Sequence, residues 1–260
     1  MNRENIEKIA HSSEDRLLLA KLFDKIRCGP QKNIPVNTGF LSPREQEMTR
    51  YLFGQEPGLV YFGGYEEAER RMLCYLPDYM DRDDLWESSP VVCLRATFYQ
   101  GDSLSHRDFL GALMGMGIAR ECVGDICVGS DSCDFFVTDE IAPYLLQNFI
   151  SAGRVKLRIN QIPLQEACIP EPEILPVKDT LASLRLDSVI SAGFRIGRSH
   201  AAQHITAGKV AIDGLPCEKP DKTVAEGMKI SLRGLGKIKL YRVNGQTKKG
   251  RISVEIHRYV

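Results

Sequence analysis

Four prolines fall within fifteen residues, at Pro163, Pro170, Pro172 and Pro176, and this segment most restricts how the chain can fold. Proline lacks a backbone N–H and fixes its own φ angle, so the segment cannot continue a helix or a central strand. We interpret residues 162–179 as a semi-extended linker between two folded parts. The length of 260 residues agrees with two or three domains, each able to bury a core.

The charge of the chain is divided along its length, although the formal net charge is zero. Residues 1–176 carry 18 Lys and Arg against 27 Asp and Glu, a net of −9. Residues 177–260 carry 16 against 7, a net of +9. Such asymmetry is typical of a polyanion-binding module attached to an acidic body. The alternative to polyanion binding is that the acidic and the basic parts of the chain attract each other through their oppositely charged surfaces.

Composition and apolar patterning favour a cytoplasmic protein with no membrane partner. Hydrophobic residues make up 43% and charged residues 26% of the chain. The longest apolar clusters, such as residues 91–94, are far shorter than the roughly 20 residues that cross a bilayer. The N-terminus alternates charges and has no apolar signal core, which argues against export.

Eight cysteines are spaced singly along the chain, and no Cys-x-x-Cys occurs. We expect reduced thiols packed as small apolar groups, because disulfide frameworks belong to short secreted chains. A structural zinc site formed by Cys122, Cys127, Cys133 and His106 is the alternative, and the spacing disfavours it. We therefore expect neither a metal nor a cofactor.

The first 76 residues predict a small α/β domain. Apolar residues recur at helical spacing up to Ile26, and the helix is expected to stop at Cys28-Gly29-Pro30. Ser42-Pro43-Arg44-Glu45 has the form of a capping box and predicts a helix through Leu52. Residues 59–62 and 72–76 are expected to be strands.

Residues 77–161 predict the order β-α-β-β-α-β. The strands are expected at 91–99, 125–128, 134–138 and 155–159, with helices after Ser105 and over 141–152. This order is that of the ferredoxin-like fold, which RNA-recognition modules share. The aromatic RNA signature of those modules is absent, so this pattern alone indicates little about function.

Residues 180–260 predict two helices followed by a basic hairpin. The first helix is expected over 181–192 with Gly193 as its C-cap, and the second opens at Gly197-Arg198-Ser199. The opening turn of the second helix places unpaired backbone N–H groups where they suit a phosphate. Asn244-Gly245 is expected to mark a hairpin turn.

Several short motifs in this C-terminal part occur in a fixed order. They are Arg185-Leu186-Asp187, Gly193-Phe194, Gly197-Arg198-Ser199, Ala202, Ile205, Gly208-Lys209-Val210, Asp213-Gly214 and Met228-Lys229-Ile230. The set resembles the S4 RNA-binding domain, and the resemblance implies that residues 180–260 form such an αL-type domain.

Further motifs cover nearly the whole chain. They include Gly39-Phe40-Leu41-Ser42-Pro43-Arg44, Gly63-Gly64-Tyr65-Glu66, Leu104-Ser105-His106-Arg107-Asp108, Gly124-Asp125-Ile126 and Thr247-Lys248-Lys249-Gly250-Arg251. The chain thereby resembles the bacterial YlmH family, with one departure at Gly197, where a serine is usual. The resemblance implies a ribosome-associated protein that engages stalled peptidyl-tRNA complexes of the large subunit in quality control.

The sequence as a whole predicts an α+β multidomain protein. It has an N-terminal α/β unit (1–76), a ferredoxin-like, RRM-like middle domain (77–161), a Pro-rich linker (162–179) and a C-terminal S4 domain (180–260). The expected partners are the ribosome and rRNA of its large subunit, with tRNA as a further candidate. The expected RNA contacts are Arg185, Arg195, Arg198, Ser199, His200, Gln203 and Lys209, with a basic rim of Lys237, Lys239, Lys248, Lys249 and Arg251.

An enzyme is the alternative function. Arg185-Leu186-Asp187 resembles the start of the catalytic motif of pseudouridine synthases, whose aspartate attacks the sugar or base. In that motif a glycine stands five residues after the aspartate, whereas Gly193 stands six after Asp187. We expect Asp187 to lie in the first turn of a helix, where a carboxylate is favourable, and the protein to lack catalysis.

Overall fold

A computed structural model describes residues 3–99, 101–247 and 250–259. The chain forms two compact units, Met1–Pro170 and Glu171–Val260. None of the helices in the described ranges combines the length and the apolarity needed to cross a bilayer.

The first unit begins with a three-stranded antiparallel sheet and its helices. The elements are α1 (Ile6–Ile9), α2 (Ser13–Lys32), β1 (Val36–Leu41), α3 (Pro43–Phe53), β2 (Leu59–Phe62) and β3 (Arg71–Tyr75), with strand order β1-β3-β2. The predicted capping box is confirmed, since Glu45 N donates to Ser42 Oγ and Ser42 N donates to the Glu45 carboxylate. The stop predicted at residues 28–30 is wrong, because α2 continues through Pro30 to Lys32.

The second part of this unit has the predicted ferredoxin-like order. Its elements are α4 (Asp84–Glu87), β4 (Val91–Thr97), α5 (His106–Gly115), β5 (Val123–Val128), β6 (Ser132–Thr138), α6 (Ala142–Asn148), β7 (Ser151–Ala152), β8 (Val155–Lys156) and β9 (Arg158–Ile162). The sheet is antiparallel throughout, in the order β5-β6-β4-β9. The helix predicted over 141–152 ends earlier, because Gly153 (φ +58°) forms the turn of the β7–β8 hairpin.

Both faces of the four-stranded sheet are buried. On one face, Leu94 and Phe135 pack with α5 and α6 through residues such as Phe109. On the other face, Phe136 shares a core with Phe40 and other residues of the three-stranded sheet. The border predicted between residues 76 and 77 therefore lies within a unit whose two sheets share a core.

The second unit is a six-stranded antiparallel sheet with two helices. Its elements are β10 (Ile174–Leu181), α7 (Leu186–Phe194), α8 (Arg198–Thr206), β11 (Val210–Ile212), β12 (Leu215–Pro216), β13 (Lys229–Leu232), β14 (Gly236–Gln246) and β15 (Ile252–Tyr259). The strand order is β10-β15-β14-β13-β11-β12. The core contains Ile190 from α7, Ile205 from α8, and Ile238 and Ile256 from the sheet.

The prediction of a linker up to residue 179 is wrong for its C-terminal part. Residues 174–181 form β10, which pairs along its whole length with β15. Pro176 is tolerated because β10 is an edge strand, where a missing N–H need not break a ladder. The following helix α7 consequently begins at Leu186 rather than at Leu181.

Two glycines have roles other than those predicted. Gly193 lies inside α7, and the left-handed C-cap is Arg195 (φ +54°). Gly245 (φ +90°) lies within β14, where the pairing with β15 becomes irregular, so Asn244-Gly245 forms a bulge instead of the hairpin turn. The hairpin closes where Thr247 N donates to Arg251 O.

Replacing Gly193 by alanine is expected to lower the stability of the second unit. A Cβ at this position would lie 2.7 Å from Ile238 Cδ1 and 3.2 Å from Ile256 Cγ2. Overpacking of this kind costs about 1–3 kcal/mol, which exceeds the gain in helix propensity of about 1 kcal/mol. Calorimetry should show a lower unfolding temperature for Gly193→Ala.

The matched control is Gly111→Ala in α5, where a Cβ meets nothing within 4 Å and stability should rise. Equal shifts for the two variants would contradict the close packing of α7.

Candidate nucleic-acid interface

The first turn of α7 contains a buried carboxylate held by two arginines. Asp187 is only 5% exposed. Its oxygens accept hydrogen bonds from Arg185 Nε and Nη2, both at 3.3 Å, and from Arg198 Nε at 3.1 Å and Nη2 at 3.3 Å. One carboxylate thus fixes two guanidinium groups that are 13 positions apart in sequence.

The three groups of this cluster are ionised together. Burial alone would raise the pKa of Asp187, but the hydrogen bonds and charges of Arg185 and Arg198 outweigh it and hold the pKa below its usual value. The hydrogen bond to Asp187 raises the pKa of Arg185. Two positive charges against one negative charge leave the cluster with a net charge of about +1.

Both guanidinium groups remain available to a ligand. The Arg185 side chain is 41% exposed and the Arg198 side chain is 54% exposed, although each makes two hydrogen bonds to Asp187. A guanidinium group carries five N–H donors in a planar fork, so donors remain on each arginine. Asp187 therefore restricts the orientation of both groups without consuming their capacity to bind a phosphate.

The N-terminus of α8 lies next to this cluster in sequence and adds backbone donors. Gly197 is the N-cap, and no side chain caps the helix. Ala201 and Ile205 are buried and anchor α8, while Ser199, His200 and Gln203 are exposed. An uncapped helix N-terminus carries a partial positive charge and suits an anion.

A shallow pocket of about 360 Å³ brings three of the predicted arginines together. Its lining includes Arg195 after α7, Arg198 at the start of α8 and Arg251 before β15. Arg251 Nε donates to Thr180 Oγ1 at 3.1 Å, and its Nη2 donates to the Thr180 carbonyl. Ser188 and Ser191 also line the pocket, but their hydroxyl groups donate to Asp187 Oδ1 and to Ile196 O, and Asp179 adds one acidic residue. The donors that the pocket offers to a phosphate are therefore those of its arginines.

Lys209 lies at the opposite end of α8. Its N–H donates to His204 O, and its carbonyl accepts from Arg233 N. The nine residues of α8 span about 14 Å at 1.5 Å per residue, so Lys209 extends the basic surface rather than joining the pocket.

The structure separates Lys237 and Lys239 from the arginines. The two lysines alternate along β14 with Ile238 and Leu240, which face the core beneath α7. Successive side chains of a strand point to opposite faces, so both lysines lie on the other face of the sheet. The two lysines therefore do not adjoin the exposed residues of α7 and α8. Lys248 and Lys249 lie outside the described residues.

That other face of the sheet has features that the sequence analysis missed. Lys229 pairs with Lys239 across the strands, and Lys239 pairs with His257. The Tyr241 ring stacks on the His257 ring, with centroids 3.9 Å apart. The sequence did contain a signal for this face: basic or aromatic residues alternate with apolar ones over 237–241, which is typical of a strand with one exposed face.

The described residues hold no cluster of His, Cys, Asp and Glu suited to a metal ion. Cys133 is buried, whereas Cys122 and Cys127 are half-buried. Burial raises the pKa of the Cys127 thiol to about 12. His106 opens α5, and Asp108 accepts hydrogen bonds from Ser105 as a capping residue.

Two family models match parts of the chain. Residues 98–166 match the putative RNA-binding domain in YlmH, and residues 184–230 match the S4 domain. The second match contains Arg185, Arg195, Arg198 and Lys209, whereas Lys237, Lys239 and Arg251 lie beyond it. A protein of Bacillus subtilis (strain 168), the ribosome-associated protein quality control protein P2, is 33% identical over 224 residues. The alignment covers 85% of this chain and 86% of that protein.

The chain belongs to the YlmH family. A solved structure agrees with the fold of this YlmH-family chain: the cell division protein ylmH from Streptococcus pneumoniae matches with a TM-score of 0.52 at 19% identity. That match covers 62% of this chain and 98% of the other. In this YlmH-family chain, the model of the putative RNA-binding domain covers α5, α6 and the strands β5, β6 and β9 of the ferredoxin-like sheet, but not β4.

Proposed function

We propose that this chain is a non-catalytic RNA-binding protein that acts on rRNA of the large ribosomal subunit, together with peptidyl-tRNA, in translation quality control in the cytoplasm. The observation that carries the proposal is the pair of arginines held by buried Asp187 beside the uncapped start of α8. The name of the Bacillus subtilis relative, which is ribosome-associated and acts in quality control, supports the choice of partner.

The arrangement fits the phosphate backbone of structured RNA. Arg185 and Arg198 are pre-oriented for bidentate contacts, and the first-turn N–H groups of α8 fix the position of one phosphate. Arg195, Arg251 and Lys209 extend the contact along the surface. RNA helices are recognised mainly by shape and by backbone contacts, because the deep major groove hides the base edges.

The catalytic alternative assigns Asp187 as the nucleophile of a pseudouridine synthase. The contacts of this carboxylate support a positioning role instead, because both oxygens accept hydrogen bonds from arginines and the residue is buried. Incubation of the protein with unmodified rRNA should produce no pseudouridine. Formation of pseudouridine by the wild type, lost in Asp187→Asn, would overturn this part of the proposal.

Neutralising two exposed cations of the site is expected to weaken RNA binding. The test uses the full chain with Arg195→Gln and Lys209→Gln, and measures affinity for purified large ribosomal subunits over a range of salt concentrations. We expect roughly tenfold weaker binding, equivalent to about 1.4 kcal/mol. The log–log salt slope should become less steep by about 1 to 2, because up to two phosphate contacts are lost.

A matched control removes two lysines from the same unit outside the site. Lys178 in β10 and Lys229 in β13 are both exposed on the sheet face that points away from the helices, and Lys178→Gln with Lys229→Gln changes the net charge equally. The control should bind as the wild type does. Equal loss in both double variants would show that only overall charge matters and would contradict the proposed site.

A further inference from the structure

Most of the sheet face of the ferredoxin-like part is covered and is not available to RNA. RNA-recognition modules with this topology stack bases on aromatic side chains of an exposed sheet face. Here the face opposite α5 and α6 contains Cys93 and Phe136, and Phe136 is 0% exposed. Both residues share a core with Phe40 and Met72 of the three-stranded sheet.

The middle of this face, around Arg95 and Asp134, is covered by the segment that follows β9. Arg95 Nε and Nη2 donate to Asp134 at 2.7 and 2.6 Å, and Arg95 Nη2 also donates to Glu166 O at 3.0 Å. Cys168 N donates to the Asp134 carboxylate at 2.7 Å. An RNA ligand of this part of the chain must therefore use an edge, a loop or the uncovered end of the sheet face.

A basic hairpin at the edge of the same sheet is exposed. Arg154, Lys156 and Arg158 are exposed and alternate with Val155, Leu157 and Ile159, which pack against the core. The hairpin consists of β7 and β8, and Leu157 N donates to Ile150 O at 2.8 Å. Within the described ranges, none of these three cationic side chains has an ion-pair or hydrogen-bond partner.

Two large exposed side chains lie close to these cations. Ile150 is 69% exposed at the start of the hairpin, and Tyr99 is 78% exposed. Tyr99 lies two residues after Thr97, which pairs with Arg158 across β4 and β9. A row of cationic side chains along a strand can bind an RNA backbone, and an exposed aromatic ring beside it can stack on a base. The hairpin and Tyr99 provide both kinds of group.

We propose that the basic hairpin, defined as residues 150–158, is the RNA contact of the ferredoxin-like part, with Tyr99 at its border. The inference rests on the proposed function and adds a second RNA-binding surface, which belongs to the first unit and is independent of the arginine cluster of α7 and α8. The hairpin binds phosphates through Arg154, Lys156 and Arg158. The covered part of the sheet face takes no part in RNA binding, whereas Arg158 lies at its uncovered end, where it pairs with Thr97.

The test removes three charges from the hairpin of the full-length protein. The triple variant Arg154→Gln, Lys156→Gln, Arg158→Gln is compared with Lys25→Gln, Arg27→Gln, Lys32→Gln on α2, which removes three exposed cations from the same unit. Affinity is measured for protein-free large-subunit rRNA and for purified large subunits. We expect the hairpin triple variant to bind both at least fivefold more weakly, with a salt slope less steep by about 2 to 3. The α2 control should match the wild type.

The outcomes separate this inference from the proposed function. A wild type that binds neither rRNA nor large subunits would overturn the proposed function, and this inference with it. A wild type that binds, with an unchanged hairpin triple variant, would overturn only this inference. A triple variant that loses subunit binding but keeps its affinity for protein-free rRNA would show a protein contact and would also overturn it. Arg154→Gln alone, in the hairpin turn, repeats the test if the triple variant unfolds.

Discussion

Replacing both Arg185 and Arg198 by alanine is expected to destabilise the second unit strongly, because buried Asp187 would lose both of its cations. Each single variant should cost much less, since one arginine remains. The measurement is the free energy of unfolding of the full chain from chemical denaturation followed by circular dichroism. Adding Asp187→Asn to the double variant should restore a large part of the loss, because the uncompensated charge is then gone.

The effect should depend on pH with a defined sign. In the wild type the folded-state pKa of Asp187 is lowered, so the cluster contributes stability above the unfolded-state value of about 3.9 and loses it as the pH falls through the folded-state pKa. In the double variant the two arginines no longer lower the pKa of Asp187, while burial, which raises it, remains. The stability gap between the two proteins should therefore be largest near neutral pH and shrink as the pH falls. An equal gap at pH 7 and pH 4 would contradict the role of Asp187.

Replacing Phe136 by alanine is expected to destabilise the first unit by about 3–5 kcal/mol, the usual cost of removing a fully buried phenylalanine. Phe136 belongs to β6 of the four-stranded sheet, yet it packs with residues of the three-stranded sheet. The loss should therefore appear in both sheets. Phe136→Leu should cost less, because it leaves a smaller cavity.

The single tryptophan gives a local measurement for this experiment. Trp86 lies in α4, and its ring contacts the Phe62 ring of β2 edge-on, with centroids 5.1 Å apart. In Phe136→Ala, the unfolding transition seen by Trp86 fluorescence should shift together with that seen by circular dichroism. A fluorescence transition that stays at its wild-type position would show that the two sheets unfold separately.

The elements that could be predicted are those specified by nearby residues. The capping box at Ser42 and Glu45 and the β-α-β-β-α-β order depend on local spacing, and the structure has both. Asp187 in the first turn of a helix was also predicted, although that helix begins at Leu186 and not at Leu181 as expected. The arginine contacts of Asp187 were not, because Arg198 comes from the following helix.

The elements that could not be predicted depend on distant residues. β10 reads as a Pro-rich linker, since its partner β15 lies more than 70 positions further along the chain. Gly193 reads as a helix end, because its close approach to Ile238 requires the folded sheet. The alternation of cationic and apolar residues over 154–159 was visible in the sequence, but the predicted strand at 155–159 did not reveal a separate hairpin.

The position of β15 in the second unit has a consequence for the order of folding during synthesis. β15 is the last strand of this unit in sequence, but it lies inside the sheet between β10 and β14. While the chain is being translated, β10 has no partner until residues 252–259 have been made. The apolar side of α7 likewise lacks part of its cover, since Val254 and Ile256 belong to β15. This unit therefore gains its complete core in a late step of translation, because its non-local strand pairs cannot form earlier.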